Sequence, residues 1–169
     1  MRRSQLWFSI LIMSSQLNTA CGQKTFDEKM QSMYRNTVPL VQAEDVAERQ
    51  KQNDDLILLD IRSAREFEVS HLEGARFIDY DEFDSDDVKE IPMDAEIVVY
   101  CAVGYRSERV GEKLQELGFQ NVRNLYGGIF DWKNNNHTVV NEQGVETDSV
   151  HTYNKNWAQW LYNGIKVYD

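Results

Sequence analysis

The sequence predicts an α/β fold: an open, mostly parallel sheet flanked by helices on both faces. Three observations carry this expectation. Short apolar runs alternate along the chain with segments of helical spacing. Two of those runs, Leu56-Ile57-Leu58-Leu59 and Ile97-Val98-Val99-Tyr100, are continuously apolar, as strands covered on both faces must be. The second run leads straight into a cysteine-bearing loop and then a helix, which places that cysteine at the carboxyl edge of the sheet, where ligands of such folds bind.

Residues 1–20 differ in kind from the rest. Arg2-Arg3 precede an apolar run from Leu6 to Met13, and small or polar residues follow up to Ala20, the pattern of an export signal. The run is too short for an ordinary bilayer-spanning helix. Asn18-Thr19-Ala20-Cys21 resembles a bacterial lipobox, with Asn18 in the place that family usually gives to Leu. The resemblance implies lipidation of Cys21 and a chain exported to the cell envelope, anchored by lipid and facing the periplasm. Ordinary cleavage and release as a soluble periplasmic chain is the alternative.

Residues 21–37 are polar and weakly patterned, and read as a tether or amino-terminal extension without chemistry of its own. The domain is expected over residues 38–134. Pro39-Leu40-Val41 is a strand candidate, and Ala43 to Gln52 has helical spacing in Val46 and Ala47. After the strand at Leu56, Ser63 and Glu66 form a capping-box pair that opens a helix. His71 to Ala75 is a turn and Arg76 to Asp79 a short strand. Tyr80 to Glu90 is strongly acidic and reads as a solvated loop or poor helix. It lacks the spacing of a calcium loop, so no metal is expected there.

Ser107 to Leu117 carries Val110, Leu114 and Leu117 on one helical face and ends at Gly118; Asn121 to Leu125 is a further strand. Tyr126-Gly127-Gly128 turns the chain into Ile129-Phe130-Asp131-Trp132, whose aromatic residues are expected to close the core. Residues 135–169 read as an extension packed on the domain. Val139-Val140 and Val145 suggest a hairpin and Asn156 to Leu161 a short helix, with Trp157, Trp160 and Tyr162 serving to pack the tail.

The chemistry concentrates in Cys101-Ala102-Val103-Gly104-Tyr105-Arg106-Ser107. A helix amino terminus offers unpaired N–H groups and the positive end of the helix dipole, both of which favour a thiolate over a thiol. Gly104 lets the backbone curl around an anion and Arg106 adds a fixed positive charge. A buried core cysteine, the competing reading, needs neither. The formal charge of −10, which becomes −12 once Arg2 and Arg3 leave with residues 1–20, argues against nucleic acid as a partner. With two cysteines in the sequence, acylation of Cys21 would leave Cys101 as the only free thiol, with no disulfide framework and no second thiol to resolve an intermediate on it.

Taken together, Leu59-Asp60-Ile61-Arg62, His71-Leu72-Glu73-Gly74-Ala75, Val99 to Ser107, and Leu125-Tyr126-Gly127-Gly128 with Trp132 resemble a single-domain rhodanese in content, order and spacing. The resemblance covers residues 38–134 and implies the rhodanese α/β fold. It also implies sulfur transfer: a sulfane sulfur passes from a donor such as thiosulfate or an organic persulfide, through a persulfide on Cys101, to a small or protein thiol or to cyanide. Cys101 matches the nucleophile, Arg106 the loop arginine, and Ala102, Val103, Gly104, Tyr105 and Ser107 the substrate-binding loop. Asp60, Arg62, His71, Gly127 and Gly128 are expected in structural support. No cofactor is implied.

Two other classes compete. A cysteine phosphatase or arsenate reductase resembles Cys-x5-Arg, whereas four residues separate Cys101 from Arg106 here, a ring that suits one sulfur atom better than a tetrahedral oxyanion. A non-enzymatic sulfur carrier or scaffold would keep the loop but not turn over. Ala102 stands where many thiosulfate-using members of the family carry a basic residue, and Val103 and Tyr105 make the rim more apolar, so an organic or protein persulfide stands beside thiosulfate as an alternative donor.

Overall fold

The computed structural model describes residues 25–52 and 55–168. Residues 1–20, expected to be an export signal, and Cys21, expected to be lipidated, lie outside the described residues. In chain order the elements are α1 (Phe26–Gln31), β1 (Leu40–Val41), α2 (Ala43–Lys51), β2 (Leu56–Asp60), α3 (Ala64–Val69) and β3 (Arg76–Phe77). A 3-10 turn (Ser85–Val88) follows, then β4 (Glu96–Tyr100), α4 (Tyr105–Glu116), β5 (Asn121–Leu125) and α5 (Gly128–Asn134). The tail adds β6 (Val139–Val140), β7 (Glu146–Thr147), β8 (Ser149–His151), α6 (Lys155–Ala158) and β9 (Ile165–Val167).

The central sheet has five strands in the order β1-β5-β4-β2-β3, every pair parallel. The expected open parallel α/β fold is what forms. Because side chains alternate across a strand, β4 feeds two cores at once. Ile97, Val99 and Cys101 join Val110 and Leu114 of α4 and Val88 of the 3-10 turn on one face. Val98, Tyr100 and Ala102 join Phe26 and Met30 of α1, Val46 of α2 and Phe130 of α5 on the other. Each fully buried aliphatic chain here contributes on the order of 1.5–3 kcal/mol relative to exposure. Central β4 therefore ends in a well-packed frame, and its last side chains project into both layers.

Local chemistry fixes the helices that flank the site. Ser63 Oγ accepts from the Glu66 N–H while Glu66 accepts from the Ser63 N–H, the reciprocal cap that starts α3. Helix α4 starts two residues earlier than its apolar spacing suggests, because Gly104 takes the left-handed conformation at φ 88° and serves as its N-cap. The segment expected only to close the core, Ile129 to Trp132, is helix α5, launched by Gly127 and Gly128 at φ 63° and 56°. The short strand after the His71 turn covers Arg76–Phe77 rather than continuing to Asp79.

The two extensions are part of the packing. Phe26, Met30 and Tyr34 are buried in the main core, so the amino-terminal segment after residue 24 docks on the domain through an apolar stripe at helical spacing. The expected hairpin pairs Val139 with Thr147 and Val140 with Glu146, one residue beyond Val145. β8 and β9 form a parallel pair that the sequence pattern does not announce, and Val150, Trp160 and Leu161 enter the main core.

Candidate active site

Cys101 follows β4 immediately, and its loop is suspended by its carbonyls. The Cys101 carbonyl accepts from Ile129 N–H at 2.9 Å and that of Ala102 from Phe130 N–H at 3.1 Å. The Val103 carbonyl accepts from the Tyr34 hydroxyl at 2.7 Å. The Gly104 carbonyl accepts from Asn124 Nδ2 at 3.0 Å and from Glu108 N–H at 3.2 Å. In a trans peptide the N–H of the next residue points opposite to the carbonyl, so four carbonyls tied outward turn the following amides inward. Gly104 N–H reaches the Cys101 Sγ at 3.2 Å. The thiol is 1% exposed and lies beneath the amino end of the twelve-residue helix α4.

Two positive-φ glycines sit where a side chain would find no room. A Cβ on Gly128 would sit 2.2 Å from the Cys101 carbonyl oxygen, and one on Gly104 would sit 2.3 Å from the Tyr34 hydroxyl oxygen. Tyr34 closes this cluster: its hydroxyl also accepts from Gly127 N–H at 2.9 Å, joining the cysteine loop to the α5 turn. Nothing in the sequence pattern singles out Tyr34. Its signal was the Phe26, Met30, Tyr34 spacing, which marks a packed helical face and says nothing about a hydroxyl.

Arg106 is held by a carboxylate. Its Nη1 and Nη2 donate to Glu66 Oε2 and Oε1 at 3.0 and 2.8 Å, a bidentate pair reaching from α4 to α3. Burial works to raise the Glu66 pKa, but the Arg106 hydrogen bonds and charge, with Arg62 nearby, hold this carboxyl below the usual value. Burial likewise works against the Arg106 charge, and Cys101 and Glu66 outweigh it, keeping the guanidinium firmly protonated. Glu66 thus has two tasks, capping α3 and positioning Arg106, of which the sequence pattern reveals the first.

The support residues separate into two groups. Arg62 and Asp60 are both 0% exposed and paired, with Arg62 Nε 2.9 Å from Asp60 Oδ1 and Nη2 2.7 Å from Oδ2. This pair lies under the loop that leads from β2 to α3, beside Tyr100, whose hydroxyl accepts from Leu72 N–H at 3.0 Å. His71 stacks on Phe67, shares a hydrogen bond with the Phe67 carbonyl at 3.0 Å and bridges through its backbone to Val140. None of the three lines the cavity at Cys101. Ser107, expected in the substrate loop, instead turns inward, is buried, and donates to Asn124 Oδ1 at 2.7 Å. With α4 starting at Tyr105, Ser107 faces β5 rather than the loop mouth. Asn124 links both: its amide nitrogen holds Gly104 while its oxygen receives Ser107.

Above the thiol is a cavity of about 440 Å³. Cys101, Ala102 and Val103 form its floor, and Tyr105 and Arg106 one side. Met33, Tyr80 and Asp81, with Tyr153 and Trp157 of the tail, complete it. Trp157, expected only to pack the tail, therefore also faces the reactive loop. The arrangement offers a buried thiol facing backbone N–H and a guanidinium, with room above it for a reactant: the equipment for nucleophilic attack and for holding an anionic sulfur.

The rhodanese-like domain family model matches residues 42–135, and the chain belongs to that family. Over 84 residues it is 38% identical to the tRNA uridine(34) hydroxylase of Staphylococcus carnosus, covering 46% of this chain and 26% of that protein. Over 88 residues it is 34% identical to the adenylyltransferase and sulfurtransferase UBA4 of Meyerozyma guilliermondii, covering 48% and 21%. The matched stretch thus spans about a quarter of those relatives' own length. Among solved structures, the rhodanese-related protein of Thermoplasma volcanium aligns over 62% of this chain and 99% of its own, with 28% identity and a TM-score of 0.55.

Proposed function

We propose that the protein is a sulfurtransferase that carries a sulfane sulfur on Cys101. The observation that carries the reading is the Cys101 thiol beneath the Gly104 amide, with Arg106 fixed nearby by Glu66 and open space above. The Cys101 thiolate attacks the outer sulfur of a donor. A new S–S bond forms on Cys101 as the donor's S–S bond breaks, and the leaving group takes the electron pair as sulfite, sulfinate or thiolate. Inward amides and Arg106 stabilise the negative charge, first on the thiolate and then on the persulfide. A nucleophilic acceptor then takes the outer sulfur and Cys101 leaves as a thiolate. Cys101 is the one free cysteine among the described residues, so the acceptor comes from outside: cyanide in an assay, a small thiol or a protein thiol otherwise.

Protein lacking residues 1–20 is treated with thiosulfate or with glutathione persulfide, its intact mass is recorded, and cyanide is added. The expected result is one added sulfur, lost as thiocyanate appears, and neither signal in Cys101→Ser. Thiocyanate formation by Cys101→Ser at the wild-type rate would refute the proposal. One sulfur accepted but not passed on to any added acceptor would favour a carrier over an enzyme.

A further inference from the structure

Three of the ten residues lining the Cys101 cavity come from outside the family-matched residues 42–135. Met33 comes from the segment after α1, and Tyr153 and Trp157 come from the tail. All three present carbon or aromatic surface. The tail does more than pass by. Tyr153 has φ 63°, a conformation costly for an aromatic residue, within a tight turn in which Asn154 N–H donates to the Thr152 carbonyl at 2.6 Å. Its N–H is anchored by His151 Nδ1 at 3.1 Å. The outcome of that strained turn is a ring set 5.8 Å from the Arg106 guanidinium and yet 58% exposed, a large apolar surface left open at the mouth of the site. Trp157 is positioned by the α6 cap, where Asn154 Oδ1 accepts from its N–H at 3.2 Å.

The cavity's charges point the same way as its shape. Arg106 is committed to Glu66, and the other charged group on the wall is the carboxylate of Asp81. A small dianion finds no unpaired cation among the described lining residues, whereas an aryl or alkyl body finds aromatic faces on which to rest. We propose that Tyr153 and Trp157, with Met33, form a specificity wall that selects sulfur donors carrying an apolar, preferably aromatic, organic body. The inference rests on the sulfur-transfer reading and adds to it the class of donor and the residues that choose it.

Two thiosulfonates test this with the same reacting group and charge: benzenethiosulfonate and methanethiosulfonate. In each, Cys101 thiolate takes the terminal sulfur, the S–S bond breaks, and the sulfinate leaves with the electron pair. The readout is the ratio of the two kcat/KM values for thiocyanate formation. Wild type is expected to favour the aryl donor by about tenfold or more, the range for one added apolar group in a fitted pocket. Tyr153→Ala, which removes an exposed ring, and Trp157→Ala are expected to bring that ratio down to about twofold or less. Tyr162→Ala, an exposed aromatic in the same tail away from the cavity, leaves it unchanged.

A second arm needs no sulfur transfer. In Cys101→Ser, binding of 4-fluorobenzenesulfinate is followed by fluorine NMR, and adding Tyr153→Ala is expected to weaken it about fivefold or more. Equal use of both donors by wild type, or a ratio kept by both wall variants, overturns the specificity wall while leaving sulfur transfer standing. Absence of transfer from either donor, with Tyr153-dependent sulfinate binding intact, overturns sulfur transfer and supports the wall as an aromatic-binding surface. Loss of both signals overturns both.

Discussion

Arg106 enters the site already bound. A guanidinium held in two hydrogen bonds by a carboxylate that is 1% exposed keeps one orientation, so its field at Cys101 is fixed before any reactant arrives. The same pair ties α3 to α4, which makes Glu66 a positioning residue whose loss is felt twice. Glu66→Gln is expected to destabilise the fold by about 2 kcal/mol, the scale of a charge-assisted hydrogen bond, and to lower kcat for sulfur transfer more than it changes KM. Denaturant titration and steady-state kinetics check both. The pH dependence has a definite sign. The Glu66 pKa is lower folded than unfolded, so its stabilisation is present above the ordinary carboxylate value near 4.5 and fades as pH falls through the lower folded value. The stability gap between wild type and Glu66→Gln should therefore narrow on acidification below about pH 4.5.

At the scale of elements, the reactive loop is held by what lies around it: β5 through Asn124, α5 through Ile129 and Phe130, and the chain after α1 through Tyr34. Tyr34→Phe removes the hydroxyl that bridges the Val103 carbonyl and Gly127 N–H, leaving two buried backbone groups unpaired. It is expected to cost about 1–3 kcal/mol and to speed hydrogen exchange in residues 101–104 and 127 ahead of the sheet. This clamp also marks how far the sequence could be read. The central strands, the α3 cap and the cysteine loop were legible because continuous apolar runs, a Ser-x-x-Glu pair and a strand–Cys–helix junction are local patterns. Helix α5 was not, since Gly127-Gly128 reads as a turn, and the N–H groups of Ile129 and Phe130 that open the helix find their partners only in the distant carbonyls of the cysteine loop. The partners of Glu66, Asn124 and Tyr34 lie 40, 20 and 69 residues away, where no local pattern reaches.

For the whole molecule, a formal charge of −10 means acidic groups meet across elements. Asp131 of α5 is the sharpest instance: burial, then the charges of Glu44 on α2 and Asp27 on α1, push its carboxyl up to about 6. A carboxyl whose pKa is higher folded than unfolded favours the fold below the unfolded value and loses that advantage as pH rises through about 6. Asp131→Asn is accordingly expected to raise the thermal midpoint by roughly 2–4 °C at pH 7 and by less at pH 4, as calorimetry at the two pH values would show. The docking of α1 has a consequence for how the chain is made. The Phe26 ring packs edge-on against Tyr126, Trp160 and Tyr162, and Tyr34 waits for Val103 and Gly127. The first described helix to leave the ribosome thus finds its seat only after nearly all the rest has emerged, and a six-residue helix is too short to persist alone. Folding is therefore expected to run from the middle outward, with the α1 segment docking late and the cysteine loop gaining its Tyr34 clamp at that step.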